Sequence, residues 1–149
     1  MNEALPSDFF VHLAADCPDA IVYADAGGRI RYWNAAATRI FGFAKQEALG
    51  QRLDLIIPQR LRARHWEGYD KVMGGAGSRY AEGALLAVPA AHKDGRQISI
   101  EFTILPWRNA DGALVGIAAF LRDATARFEE MRTLRRELAA LKGGAGAGY

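Results

Sequence analysis

From Gln97 to Leu105 the chain alternates without a break: Ile98, Ile100, Phe102 and Ile104 fall on one parity, Gln97, Ser99, Glu101 and Thr103 on the other. A period of two is satisfied by an extended strand with one face against apolar matter and the other against water. That strand needs partners, and its flanks supply them. Residues 79–88 and 114–122 also read as strands, and the connections carry Lys93-Asp94-Gly95 and Asn109-Ala110-Asp111-Gly112. Such residues favour tight reversals, so three consecutive antiparallel strands are expected.

Upstream, residues 20–25 and 29–33 read as two strands joined by the turn Ala26-Gly27-Gly28. Asn34 is a natural N-cap for a helix from Ala35 to Phe41 that Gly42 stops, and residues 45–49 form another short helix ended by Gly50. After the apolar piece 54–57, Pro58 opens a helix over 59–73. Gly74, Gly75 and Gly77 end it, since each costs about 1 kcal/mol inside a helix. Ser7-Asp8 offers an N-cap for a short leading helix carrying Phe9, Phe10 and Leu13. Two strands, several short helices and then three strands specify an α+β domain with one five-stranded antiparallel sheet and helices on one face.

Length and charge narrow the partners. At 149 residues the chain is one domain, and 19 Lys+Arg dispersed among 17 Asp+Glu leave a charge of +2, which gives no nucleic-acid footprint. Cys17 stands alone, so no disulfide within the chain and no cysteine metal cluster is expected. The longest uncharged apolar run, 113–121, is less than half of the roughly 20 residues a membrane span needs. No stretch reads as a secretory leader, and a cytoplasmic setting without membrane contact is expected. Residues 125–142 are highly charged but keep Phe128, Met131, Leu134, Leu138 and Leu141 at spacings of three and four, as an amphipathic or coiled-coil helix does. The chain thus divides into a helical segment 1–15, a sheet domain 16–124, a trailing helix 125–142 and a glycine-rich flexible tail 143–149. The unpartnered stripes of the leading and trailing helices point to a homodimer.

Several of these segments together resemble a PAS domain. They are the hairpin from Ala20 to Trp33, Asn34-Ala35-Ala36, Phe41-Gly42, Glu47-Ala48-Leu49-Gly50, Ile56-Ile57-Pro58, Lys93-Asp94-Gly95 and Leu121-Arg122-Asp123-Ala124-Thr125. The resemblance implies a sensory module with a ligand cavity between sheet and helices, acting through a downstream signalling protein or an output domain on a longer chain. Light-sensing flavin relatives carry a cysteine in the helix region before the third strand. No cysteine lies there, which argues against a flavin photoadduct and leaves a noncovalent flavin open.

Haem-binding PAS sensors hold their iron on a histidine of the long helix, and Leu61-Arg62-Ala63-Arg64-His65 is similar to that stretch. The resemblance thus implies haem b with His65 as the metal ligand and a diatomic gas (CO, NO or O2) or a redox state as the signal. At about 100° per residue, Leu61, His65, Gly68, Tyr69 and Val72 share one stripe. Arg64 and Lys71 lie at one margin, placed to reach propionates, and Trp66 and Met73 at the other. The second imidazole nitrogen is expected on a carbonyl or water. Leu86, Ile104 and Leu121 are expected to make an apolar distal side, better suited to CO or NO than to tight O2 binding. The stretch is one residue longer than in the haem sensors, with Gly68 the extra residue, which would rotate His65.

Other residues have blander readings. His12 and His92 are expected at the surface, Trp33 and Trp107 in core or rim packing or at a dimer interface, and Cys17 as a small buried residue without chemistry. Asp123 is placed to cap the trailing helix and Arg122 to pair with a carboxylate. No nucleophile triad or phosphate loop is present, so no enzyme is expected; a haem-dependent peroxidase would need a distal acid or base. The competing function is a haem-free PAS module that binds a small organic ligand or pairs protomers.

Overall fold

The computed structural model describes residues 3–75 and 83–146. Its elements are α1 (Phe9–Ala15), β1 (Ala20–Asp25), β2 (Ile30–Trp33), α2 (Ala35–Phe41) and α3 (Lys45–Ala48), then α4 (Arg62–Met73), β3 (Leu86–Ala91), β4 (Gln97–Arg108), β5 (Leu114–Asp123) and α5 (Thr125–Gly146). Two 3-10 turns, Leu53–Ile56 and Gln59–Leu61, lead into α4. The five strands form one antiparallel sheet in the order β2-β1-β5-β4-β3.

Local signals explain the first half. Asn34 accepts from Ala37 N at 3.1 Å and Gly42 ends α2 at φ +83°, a conformation that favours glycine. Asn34 is also buried and ties three segments together. Its Oδ1 accepts from Ile21 N, and its Nδ2 donates to Ala14 O and Asp19 O, each at 3.0 Å. Strict alternation would put Ile30 and Trp33 on opposite faces, yet both are buried. A register shift leaves Arg31 without a partner opposite it, since Tyr23 pairs Tyr32 and Ala24 pairs Ile30. Such a bulge turns both side chains inward. Trp33 is therefore core, and its Nε1 donates to Thr38 Oγ1 at 3.0 Å.

The second half departs from the sequence reading in places. The third strand runs over Leu86–Ala91 rather than 79–88, and residues 76–82, including Gly77 and the first four residues of that expected strand, lie outside the described residues. Pro89, which cannot donate to a ladder, is accommodated because β3 is an edge strand. The helix expected over 59–73 enters through a 3-10 turn before α4 begins. The leading helix is preceded by Asp8, which makes no side-chain cap, and α1 buries none of its residues. α5 continues to Gly146, past the boundary expected at Lys142, and residues 147–149 lie outside the described residues.

The junction into α5 forms as its residues suggest. Arg122 Nε meets Asp19 Oδ1 at 2.8 Å, Asp123 Oδ1 accepts from Thr125 N at 2.9 Å, and Ser99 N donates to Thr125 Oγ1 at 3.0 Å. Arg127 pairs with Glu101 on β4. His92, expected at the surface, is largely buried at 13% side-chain exposure because it packs against Gly42, and its Nδ1 accepts from Asp94 N. His12 is exposed, Trp107 is 53% exposed and Cys17 is half-buried.

Candidate functional site

Between α4 and the inner face of the sheet lies a cavity of about 480 Å³. That volume is in the range of small-molecule pockets. Strand register explains its floor. Ala20, Leu121, Phe102 and Leu86 stand in one cross-strand row, and Val22, Ala119 and Ile104 in the next. The even-numbered face of β4 that opened the sequence reading is this floor: Ile98 and Ile100 are buried, whereas Phe102 and Ile104 are half-buried because they border open space.

The roof is the predicted stripe of the long helix. Leu61, His65, Gly68, Tyr69 and Val72 all line the cavity, as does Arg64. Gly68 sits inside a continuous α4, so the extra residue does not turn His65 away from the cavity. Leu86, Ile104 and Leu121 line the opposite wall, so six of the seven expected site residues meet around one space. Lys71 is the exception. Its Nζ faces Glu67 at 3.5 Å with both side chains about two-thirds exposed, on the solvent side of the helix. Its place about two turns past Arg64 at the same margin carries it out of reach.

The lining is aliphatic and aromatic apart from the groups α4 brings. Tyr69 is one, but its hydroxyl is committed: it donates to Asp25 O at 2.5 Å, with Ala24 O at 3.3 Å. Burial, helped by the nearby Asp25 carboxylate, raises its phenol well above the ordinary range, so it acts as a neutral donor. His65 is the group left over. Among the described residues its Nδ1 is buried and has no hydrogen-bond partner in the protein. Burial holds the imidazole below its ordinary pKa, against an opposing pull from Asp54, so the ring is neutral at pH 7. A buried imidazole nitrogen without a partner is costly. A neutral imidazole in an apolar slot fits an iron-bearing ring or a ligand with one hydrogen-bonding group.

The sequence reading did not foresee what fixes α4 over the sheet. Trp66 Nε1 donates to Asp54 Oδ1 at 2.7 Å, and the Arg52 guanidinium lies 4.4 Å from the centre of the indole. The indole packs on the β1–β2 turn so closely that a Cβ at Gly28 would lie 2.1 Å from it. The rings of Trp66 and Tyr69 flank His65 at 4.8 and 5.9 Å. Gly28 in a turn and Trp66 at the stripe's margin were visible, but nothing local says that they touch. Among the described residues no cluster of His, Cys, Asp or Glu could hold a metal ion by side chains alone, and no helix is long and apolar enough to cross a membrane.

A single antiparallel sheet in this order, with short helices and α4 caging one cavity against it, defines a PAS-type fold. Residues 15–129 match the PAS fold family, and the chain belongs to it. An uncharacterized protein of Azorhizobium caulinodans is 31% identical over 119 residues, 79% of this chain. Sensor protein FixL of Bradyrhizobium diazoefficiens is 27% identical over 78% of this chain, and oxygen sensor protein DosP of Escherichia coli is 26% identical over 94%. The chain spans 16%, 24% and 17% of those relatives' lengths, respectively. Among solved structures, a PAS domain from Colwellia psychrerythraea superposes with a TM-score of 0.68 at 22% identity, covering 80% of this chain and 97% of its own. An RNA-binding Light-Oxygen-Voltage receptor superposes with a TM-score of 0.71 at 21% identity over 93% of this chain and 40% of its own. The chain is thus a PAS sensory domain.

Proposed function

We propose that this PAS domain holds haem b in its cavity through His65 and responds to a diatomic gas or to the redox state of the iron. The observation that carries the reading is a neutral, largely buried imidazole, His65, in the lining of an apolar cavity, with its Nδ1 unpartnered. Similarity to the oxygen sensor protein DosP supports the gas-sensing part of this reading. Bound haem would supply an iron centre for a small gas or an electron. The chain's own residues do the rest. His65 offers a lone pair, Arg64 offers a cation at the margin, and Tyr69 holds α4 to the end of β1 through a neutral hydroxyl. Leu86, Ile104 and Leu121 exclude water and offer no hydrogen bond, a lining that favours CO or NO over O2. Leu86, Ile104 and Leu121 themselves carry no acid or base, which supports reading the domain as a sensor.

One observation favours a second reading, a small organic ligand with a single polar group. Haem b brings two carboxylates, while among the described residues Arg64 is the one lining residue with a fixed positive charge, Lys71 lying outside the lining beside Glu67. An absorption spectrum of the chain mixed with haem, beside a His65→Ala variant, separates the two. The haem reading expects a sharp Soret band in the wild type that is lost or shifted to that of free haem in the variant. A wild type that leaves the spectrum of added haem unchanged removes it and leaves the small-ligand reading.

A further inference from the structure

His65 and Trp66 are consecutive in α4, and consecutive residues of a helix point about 100° apart. Their rings nevertheless meet, with centroids 4.8 Å apart and planes inclined at 73°. That contact depends on where the indole is held, and three groups from other segments hold it. Trp66 Nε1 donates to Asp54 Oδ1 at 2.7 Å, the Arg52 guanidinium covers the ring at 4.4 Å, and Gly28 leaves the room that the indole fills. The same indole also meets the Tyr69 ring at 5.4 Å. A ligating histidine is ordinarily oriented by a hydrogen bond to its second nitrogen. Among the described residues no protein group bonds His65 Nδ1, so the imidazole leans on the two rings beside it.

We propose that Asp54 is a positioning residue for His65 and acts through Trp66: its carboxylate fixes the indole, and the indole fixes the imidazole in the cavity lining. The inference rests on the reading of His65 as the group that meets the ligand, and it names what keeps that ring in place. Asp54 suits the task because its backbone is anchored separately from its side chain. It lies in the 3-10 turn Leu53–Ile56, and Arg62 Nη2 donates to its carbonyl oxygen at 3.2 Å. Removing the carboxylate therefore frees the indole while the turn keeps its own tie to α4.

The test reads the His65 ring-proton NMR signals of the full chain without haem. Ring currents from Trp66 and Tyr69 displace them from the signals of the exposed His12. Asp54→Ala is expected to move them toward the His12 positions. Asp54→Asn, which keeps an oxygen for the indole N–H but no charge, is expected to hold them near wild type. That contrast is needed because the Asp54 charge also reaches His65 through space. In a Trp66→Phe background, adding Asp54→Ala should move the signals no further. Asp54→Ser, too short to reach the indole, takes the place of Asp54→Ala if that variant does not fold. With haem added, Asp54→Ala should weaken binding by about 10-fold or more, and Asp54→Asn far less. Ring signals indifferent to Asp54→Ala, even with lowered stability, would mean a structural role alone and overturn the proposal. An Asn variant that behaves as the Ala variant would overturn it too, as would a further shift in the Trp66→Phe background. A wild type that takes up no haem removes the haem reading alone, since the signals of the haem-free chain still decide this one.

Discussion

The two ends of the sheet are packed differently. At the β1–β2 end, Ile30 and Trp33 of β2 pack in one cluster with Phe41 of α2, all three with no more than 1% exposure. Under α4, Tyr69, Val72 and Ile117 keep 7–8% exposure around the cavity. One sheet thus carries a solid half that supplies stability and an open half that gives up contacts to leave room for a ligand. The lesson is that destabilising a PAS domain and emptying its function are separable: each belongs to its own set of residues.

Substitutions should break that division in a graded way. The largest effect is expected from Trp33→Ala, which empties the packed half and removes the donor to Thr38; urea unfolding should show a loss of about 3–5 kcal/mol. Asn34→Ala comes next. It leaves Ile21 N, Ala14 O and Asp19 O without their side-chain partner and uncaps α2, for a loss of about 2–3 kcal/mol in the same assay. Gly28→Ala acts on the link between the halves, because its Cβ would enter the Trp66 ring at a φ of +78°. A loss of about 1–3 kcal/mol is expected, together with a change in Trp66 fluorescence.

The open half should respond least in stability and most in pH dependence. Because burial depresses the His65 pKa, the unfolded chain binds a proton below about pH 6.5 that the folded chain refuses. Stability therefore rises with pH between the depressed value and about 6.5 and is lost as the pH falls through that window. His65→Ala should flatten that slope while changing stability at pH 7 by about 1 kcal/mol or less. Denaturation midpoints measured across that pH range for both proteins check this. Lys71→Ala, on the solvent side, should change stability by no more than about 0.5 kcal/mol and leave ligand binding unaltered.

Legibility in the sequence followed the same division. Asn34 and Gly42 marked α2 correctly because caps are local. The stripe Leu61, His65, Gly68, Tyr69 and Val72 was readable because helical periodicity alone decides which side chains share a face. What was hidden depended on distant segments meeting. The bulge that turns Ile30 and Trp33 inward together, the docking of Trp66 on Gly28 with Asp54, and the burial of His92 against Gly42 all involve segments that no local pattern connects. Lys71 was misplaced for a related reason: a helical wheel gives its angle but not how far the sheet extends beneath it.

The central claim is that His65 is a neutral imidazole open to a ligand in the cavity. Its side-chain nitrogen NMR signals, followed from about pH 8 to about pH 5, test this directly. A neutral ring that resists protonation below about pH 6.5, with signals that shift or broaden when haem is added, is the expected result. A ring that takes its proton at or above the ordinary value, with signals indifferent to haem, would contradict it.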